Sequence, residues 1–258
     1  MWGASLPIAC LAALALAFDL PKRIEEKRLI APLHILLALP FLVMAGLFLV
    51  DASNYRLVWE HGGSDLPLRY RLAALWEGRE GPLLMWAASM ALIGWFTRGR
   101  MGSETESTRR FRMSFFHGFS VFLLFLAWSM GAFDAANNPD APRSQLNELL
   151  QTNLMVIHPP IIFLYYSFCI ALTSIVLAHV FDPNCKLNSL KDSLIHLARP
   201  ALFVGTLGIG LGGLWAYTVL DWGGYWAWDP VETASLLPWL ALLVLLHMPQ
   251  RPGRTDVR

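Results

Sequence analysis

Apolar residues along this chain gather into seven long runs, at about 3–20, 29–50, 82–96, 115–133, 155–181, 197–220 and 231–248, with polar residues collected between them. Within the runs no polar stripe returns at helical spacing, as it would on a helix with one face in water. A helix needs roughly 20 apolar residues to cross a hydrocarbon core of about 30 Å. The pattern therefore predicts an all-α integral membrane protein with about seven transmembrane helices. The runs at 82–96 and 231–248 are short for that task, a shortfall that a locally thinned bilayer accommodates. No internal repeat or low-complexity tract interrupts the series, so residues 1–258 read as one transmembrane domain. Pro159 and Pro160 follow His158, and a residue before proline is pushed out of the helical region. The fifth span is therefore expected to begin immediately after His158.

The polar stretches differ in charge. Every second one is basic: Lys22, Arg23, Lys27 and Arg28, then Arg98, Arg100, Arg109, Arg110 and Arg112, then Lys186, Lys191 and Arg199, and finally Arg251, Arg254 and Arg258. Short loops rich in Lys and Arg stay on the cytoplasmic side, which places the amino terminus outside and the carboxyl terminus in the cytoplasm. The stretches at 51–81, 134–157 and 221–230 then face the outside of a bacterial cytoplasmic (inner) membrane. Met1 to Phe18 has neither a cationic start nor a small-residue cleavage site, and reads as a retained first span.

Composition agrees and removes some function classes. The chain is 55% hydrophobic and only 15% charged, with a mean hydropathy of +0.46, so its main solvent is membrane lipid. A net charge of +1 without a concentrated basic face argues against nucleic acid as a partner. Cys10, Cys169 and Cys185 form no Cys-x-x-Cys pair and read as packing residues.

The candidate chemistry lies in the outer stretches. Trp222, Tyr225, Trp226 and Trp228 crowd the segment before the last span, with Trp215, Tyr217 and Trp239 just beyond. Interfacial aromatic belts account for some of these rings. They do not account for the density, nor for Gly223 and Gly224, which strip side chains from the middle so that something flat can approach. A large planar apolar ligand would stack there. Asp229, Pro230 and Glu232 have the spacing of a helix start, with Asp229 as N-cap, Pro230 at the first and Glu232 at the third position. A histidine at an interface is by itself more often structural. Beside an aromatic platform on the same face, His158 points to ligation of haem iron, since neutral imidazole is its commonest nitrogen ligand.

The segment Trp222-Gly-Gly-Tyr-Trp-Ala-Trp-Asp-Pro-Val-Glu-Thr-Ala-Ser-Leu-Leu-Pro-Trp239 resembles the WWD signature of haem-handling membrane proteins, which include the cytochrome c maturation proteins C and F (CcmC, CcmF) and CcsA. Residues 66–86, and 146–151 followed by His158-Pro-Pro, resemble the F-type haem lyase in particular, and the similarity runs over most of 51–247. The resemblance implies a membrane subunit of the cytochrome c haem lyase, with holocytochrome c synthase activity. Such a protein binds haem b and presents it on the outer face for thioether attachment to apocytochrome c. His158 would be an axial ligand of that haem, with Trp222, Trp226 and Trp228 as its bed and Gly223, Gly224, Tyr225, Asp229 and Glu232 around it. His247 would ligate a second haem within the membrane. From Asp229 to His247 is about 27 Å along a helix, too far for the two histidines to share an iron.

The chain departs from the family pattern in two places. Asn138-Pro-Asp-Ala-Pro142 lacks the aromatic of the family's Asn-Pro-Phe motif, and F-type proteins continue past position 258 with a second outer and a second membrane histidine. His61, His34, His117, His179 and His196 have no matching motif context. The expectation is an amino-terminal part of a split protein, whose carboxyl-terminal partner subunit supplies the further histidines. Other expected partners are a haem chaperone, apocytochrome c, thiol-handling maturation proteins, quinol as reductant and membrane lipid. The competing readings are a CcsA- or CcmC-like haem exporter or presenter without lyase activity, and a haem-free structural membrane subunit.

Overall fold

The computed structural model describes residues 2–23, 27–102, 104–138, 141–182, 187–219 and 224–248. Helices follow the apolar runs: α1 (Ser5–Ala17), α2 (Ile30–Leu49), α3 (Arg56–His61), α4 (Leu68–Ala74), α5 (Glu80–Thr97), α6 (Glu106–Ser129), α7 (Asn153–Phe181), α8 (Leu187–Thr218) and α9 (Pro230–His247). Single helical turns and one isolated antiparallel bridge, Tyr55 with Ala135, complete the regular structure of the described residues.

Among the described residues five helical segments are long and apolar enough to cross a membrane: Lys27–Leu49, Glu106–Ser129, Asn153–Phe181, Ser193–Thr218 and Pro230–His247. The amino-terminal stretch Trp2–Ala17 is apolar but shorter, and α5, with Glu80 and Pro82 in its first turn, falls short of the same mark. The helices therefore occupy all seven expected positions, while five of them qualify as spans by length and composition.

Two helices start well before their apolar runs. Thr105 caps α6 by accepting a hydrogen bond from the Thr108 amide, and the next turns bury Arg109 and Arg112. Burying guanidinium is costly unless it is paired. Arg112 meets Glu104 at 2.9 Å and donates to the carbonyls of Thr97 and Gly99, while Arg109 is bonded to Asp19 and Glu106. The first turns of α8 are tied down in the same way, Ser193 donating to the Met101 carbonyl at 3.0 Å. Hydropathy does not show a helix whose charges are matched by protein.

The expected start of the fifth span needs correcting. α7 begins at Asn153, capped by Thr152, and runs straight through Pro159 and Pro160, so His158 lies in its second turn. Proline removes the donor that would pair with the carbonyl four residues back. For Pro159 that carbonyl belongs to Met155, and the buried indole Nε1 of Trp76 donates to it at 2.8 Å. The lost backbone bond is thus replaced by a side chain from the 51–80 loop, and the helix continues.

α7 lies along α8, and α8 also packs on α9. On the other flank α1 packs on α2 and α6, and α5 packs on α2, α6 and α7. The α7–α8 contact is close because α8 presents glycines. A Cβ at Gly205 would come within 2.7 Å of the Tyr165 ring, and one at Gly208 within 3.0 Å of Ile162. Small residues along one helix let transmembrane backbones approach closely. At the end of the bundle that holds the aromatic segment, residues 134–138 and 141–152 are stitched onto 51–61. Arg56 N donates to Asp134 O, Leu146 N donates to His61 O, and Arg143 grips both Asp51 carboxylate oxygens at 2.9 and 2.8 Å.

Candidate functional site

The site begins with a helix cap. Asp229 precedes α9 and its carboxylate accepts from the amides of Val231 and Glu232, with Pro230 as the first helical residue. Glu232 Oε2 reaches back to the Ala227 amide at 2.8 Å, so both carboxylates hold the incoming segment at a set angle. Trp228 sits between them with φ +60°, a left-handed conformation unusual for a bulky side chain. The turn sends consecutive aromatics in different directions. Trp226 turns inward, Trp228 stays exposed, and their rings stand edge to face at 82° with centroids 5.9 Å apart. Tyr225 folds back so that its hydroxyl donates to the Gly210 carbonyl of α8 at 2.5 Å. A Cβ at Gly224 would meet only the Trp226 carbonyl oxygen, at 3.9 Å, and Trp222 and Gly223 lie outside the described residues.

Beneath this segment is a cavity of about 370 Å³ between α7, α8 and the start of α9. His158, Trp76, Trp215, Trp226, Gly212 and Glu232 are among the residues that line it. His158 Nδ1 donates to the Gly208 carbonyl of α8 at 2.9 Å, which fixes the ring and leaves Nε2 as a free lone pair. Trp215 stacks at a tilt of 59°, 5.8 Å from the imidazole. Space for the ring exists because Gly212 has no side chain: a Cβ there would lie 2.8 Å from His158 Cε1 and 3.4 Å from Nε2. Gly213 likewise leaves room for Tyr225, whose ring a Cβ would approach to 2.7 Å.

Three buried polar atoms at the cavity, Trp215 Nε1, Trp226 Nε1 and Glu232 Oε1, have no hydrogen-bond partner among the described residues. Buried polar groups are nearly always satisfied, so unpartnered ones around an open volume are handles for a ligand. Apolar aromatic walls with a few convergent polar groups are the usual make-up of a small-molecule site. The donor set suits a flat aromatic macrocycle carrying a metal and acidic side groups: one neutral imidazole nitrogen, aromatic faces and two indole donors.

His247 is elsewhere. It ends α9, is exposed, and its Nδ1 bonds the Leu243 carbonyl of its own helix at 2.8 Å. The structure thus brings His158, Tyr225, Trp226, Asp229 and Glu232 together and keeps His247 apart. Trp76 and the Gly208–Gly212 pair are the site residues that sequence reasoning missed. The glycine spacing was a usable signal; the role of Trp76 depends on a long-range contact.

Residues 76–255 match the family described as cytochrome C assembly protein. The chain belongs to that family. It is 33% identical over 250 residues to the probable cytochrome c-type biogenesis protein NrfE of Escherichia coli, covering 93% of this chain and 44% of that protein. It is 35% identical over 217 residues to the cytochrome c-type biogenesis protein CcmF of Escherichia coli, covering 80% of this chain and 32% of that one. The chain spans about a third to under a half of the length of these curated relatives. The fold is also that of a solved structure described as cytochrome c heme lyase CcmF, with a TM-score of 0.73 at 21% identity, covering 96% of this chain and 42% of that one. The matched stretch of the cytochrome c assembly family contains Trp76, all of α7 and α8, and the segment around Trp226.

Proposed function

We propose that this member of the cytochrome c assembly family binds haem b in the cavity between α7, α8 and α9, and presents it on the outer face of a bacterial cytoplasmic membrane for attachment to apocytochrome c. The observation that carries the reading is His158: Nδ1 tied to α8, Nε2 free, facing a cavity with unpartnered indole donors. His158 would hold the iron through Nε2. Trp215 and Trp226 provide apolar faces, and their N–H groups receive the acidic side groups. At about 370 Å³ the cavity is near the lower end of the roughly 300–1,000 Å³ range of small-molecule sites, so one edge of a macrocycle remains outside it. Haem supplies vinyl carbons, across which the S–H groups of the apocytochrome cysteines add to give thioethers without consuming an electron source. This chain's part is positioning, holding that edge outward beside the exposed Trp228.

His247 would hold a second haem within the membrane, with quinol as the source of its electrons. A carboxyl-terminal partner subunit would supply the further histidines, and a haem chaperone and thiol-handling maturation proteins would dock at the outer end. Seven spans with the amino terminus outside give the orientation this requires, and the alternating basic stretches support it. The test is the haem spectrum of the purified chain with its natural partners. His158→Ala is expected to lose the outer haem, and His247→Ala to keep it. An absent Soret band in the unmutated complex would overturn the haem reading and favour a structural subunit. Full haem loading without thioether formation in a reconstituted reaction would favour an exporter or presenter.

A further inference from the structure

A second cavity, of about 240 Å³, opens at the opposite, basic end of the helices, between the ends of α1 and α5 and the starts of α2 and α6. Its wall combines two chemistries. Leu16, Ile30 and Met113 are apolar, whereas Lys22, Lys27, Arg98, Arg100 and Arg109 are cationic, and among the described residues Asp19 is the one carboxylate in the wall. Some of that charge is already used. Arg109 is buried and bonded to Asp19 and Glu106, and Lys22 meets Glu106 at 2.7 Å. Arg98 stacks over the Trp95 ring at 3.8 Å. Among the described residues Lys27 and Arg100 have no carboxylate partner, and both are exposed at the mouth.

The floor of the cavity gives a second, independent sign of a ligand. His34 lines it, is 5% exposed, and has its Nδ1 committed to the Ile30 carbonyl at 2.7 Å, while Nε2 is buried without a partner among the described residues. Directly behind it His117, fully buried, packs edge to face with centroids 5.4 Å apart, and both of its ring nitrogens lack partners as well. Gly94 makes room for that ring, since a Cβ there would fall 2.7 Å from His117 Cε1. Structural histidines in a core are normally hydrogen-bonded, and a nitrogen left open beneath a cationic mouth invites an oxygen ligand.

We propose that this cavity binds a phosphate-type anion, its oxygens held by Lys27 and Arg100 at the mouth and by His34 Nε2 at the floor. A headgroup alcohol, or the P–OH of inorganic hydrogen phosphate, donates to neutral His34 Nε2, and the same nitrogen donates to a phosphate oxygen once the imidazole is protonated. The apolar wall continuous with the anion site suits a headgroup whose chains run along α1 and α2, as basic pockets between helices hold acidic lipids. The site lies at the far end of the helices from His158 and uses none of its residues.

The experiment titrates the purified chain in neutral detergent with short-chain phosphatidylglycerol, with phosphatidylcholine of the same chains, and with inorganic phosphate, following unfolding temperature. Phosphatidylglycerol is expected to raise the unfolding temperature by several degrees and phosphatidylcholine not to, with the shift weakening as salt rises. The exposed double variant Lys27→Gln/Arg100→Gln is expected to lose most of the shift, and His34→Gln to weaken it while the protein stays folded. If inorganic phosphate reproduces the full shift, the anion site stands and its ligand is a soluble phosphate; if acyl chains are required, the ligand is a lipid. An equal shift with phosphatidylcholine, a shift undiminished in the double variant, or no shift with any of the three overturns the proposal.

Discussion

His158 and His247 sit in similar sequence settings, each near one end of a long apolar helix, yet the structure treats them differently. His247 bonds the carbonyl four residues back in its own helix, as do His34 at 2.7 Å and His179 at 2.7 Å. That back-bond is available to any helical histidine and tells nothing about function. His158 instead bonds a neighbouring helix at Gly208, lies against Trp215, and occupies space that Gly212 leaves empty. Its orientation is set by three residues of a neighbouring helix, α8, whereas that of His247 is set by a carbonyl of its own helix. A fixed ring with one free nitrogen is what an iron site requires before iron arrives.

Removing His158 is accordingly the largest expected effect, and the next tests its setting without touching it. Gly212→Ala would put a methyl 2.8 Å from Cε1 and displace the ring from its bond to Gly208. The expected result is a loss of outer-haem affinity of tenfold or more in a haem titration, with helicity by circular dichroism unchanged. Unaltered affinity would mean that the ring position does not matter and would remove the contrast with His247.

Trp76→Phe comes third. It keeps an aromatic in the buried slot but leaves the Met155 carbonyl, already orphaned by Pro159, without a donor. A buried acceptor left unpaired costs about 1–3 kcal/mol. We expect that loss in thermal or denaturant unfolding, together with weaker haem binding as the second turn of α7 loosens. Trp239→Phe removes a bond to Thr206 made at the other side of α8, and serves as the control that leaves His158 alone.

These residues also mark how far the sequence could be read. The apolar runs located every long helix, because lipid exposure leaves a one-dimensional signal. The Asp229 cap was legible because capping is local chemistry spelled out within four residues. The starts of α6, α7 and α8 were not legible, since each is supported by a partner distant in sequence: Asp19 for Arg109, Trp76 for Met155, Met101 for Ser193. The aromatic segment was visible as a density of rings, but their directions were not. The left-handed Trp228 turns its ring edge-on to Trp226 instead of extending one flat surface. Proximity of His158 to Gly208 and Gly212 is likewise a property of how α7 and α8 cross.

Smaller effects sharpen the comparison at the edges of the His158 site. Asp229→Ala removes the α9 cap and should cost about 1 kcal/mol, and Asp229→Asn, which caps as well, should cost little. If both variants lose haem equally, the carboxylate charge rather than the cap is what the site needs. Val231 and Glu232, which the cap holds, both line the cavity, so the Ala variant should also weaken haem binding slightly.

The smallest effect concerns the segment that leads into α7. Arg143 binds both oxygens of Asp51 and the Val58 carbonyl, pinning residues 141–152 to the end of α2. The Arg143 guanidinium holds the Asp51 carboxyl below the usual carboxylate range, and the carboxylate in turn raises Arg143. A carboxyl with a depressed folded-state pKa contributes stability that is fully present above its unfolded value, about 3.9, and is lost as pH falls through the lower folded value. Unfolding midpoints should therefore decline below about pH 4 in the unmutated chain. Asp51→Asn should flatten that part of the decline while keeping the turn, because Asn tolerates the φ of +54° at this position. The pair is partly exposed, so its worth is under about 1 kcal/mol. The same variant should leave His247 unaffected and shift His158 only if the 141–152 segment helps aim α7. A haem spectrum of Asp51→Asn that changes as much as that of Trp76→Phe would show that the loop, and not the indole alone, sets the helix mouth.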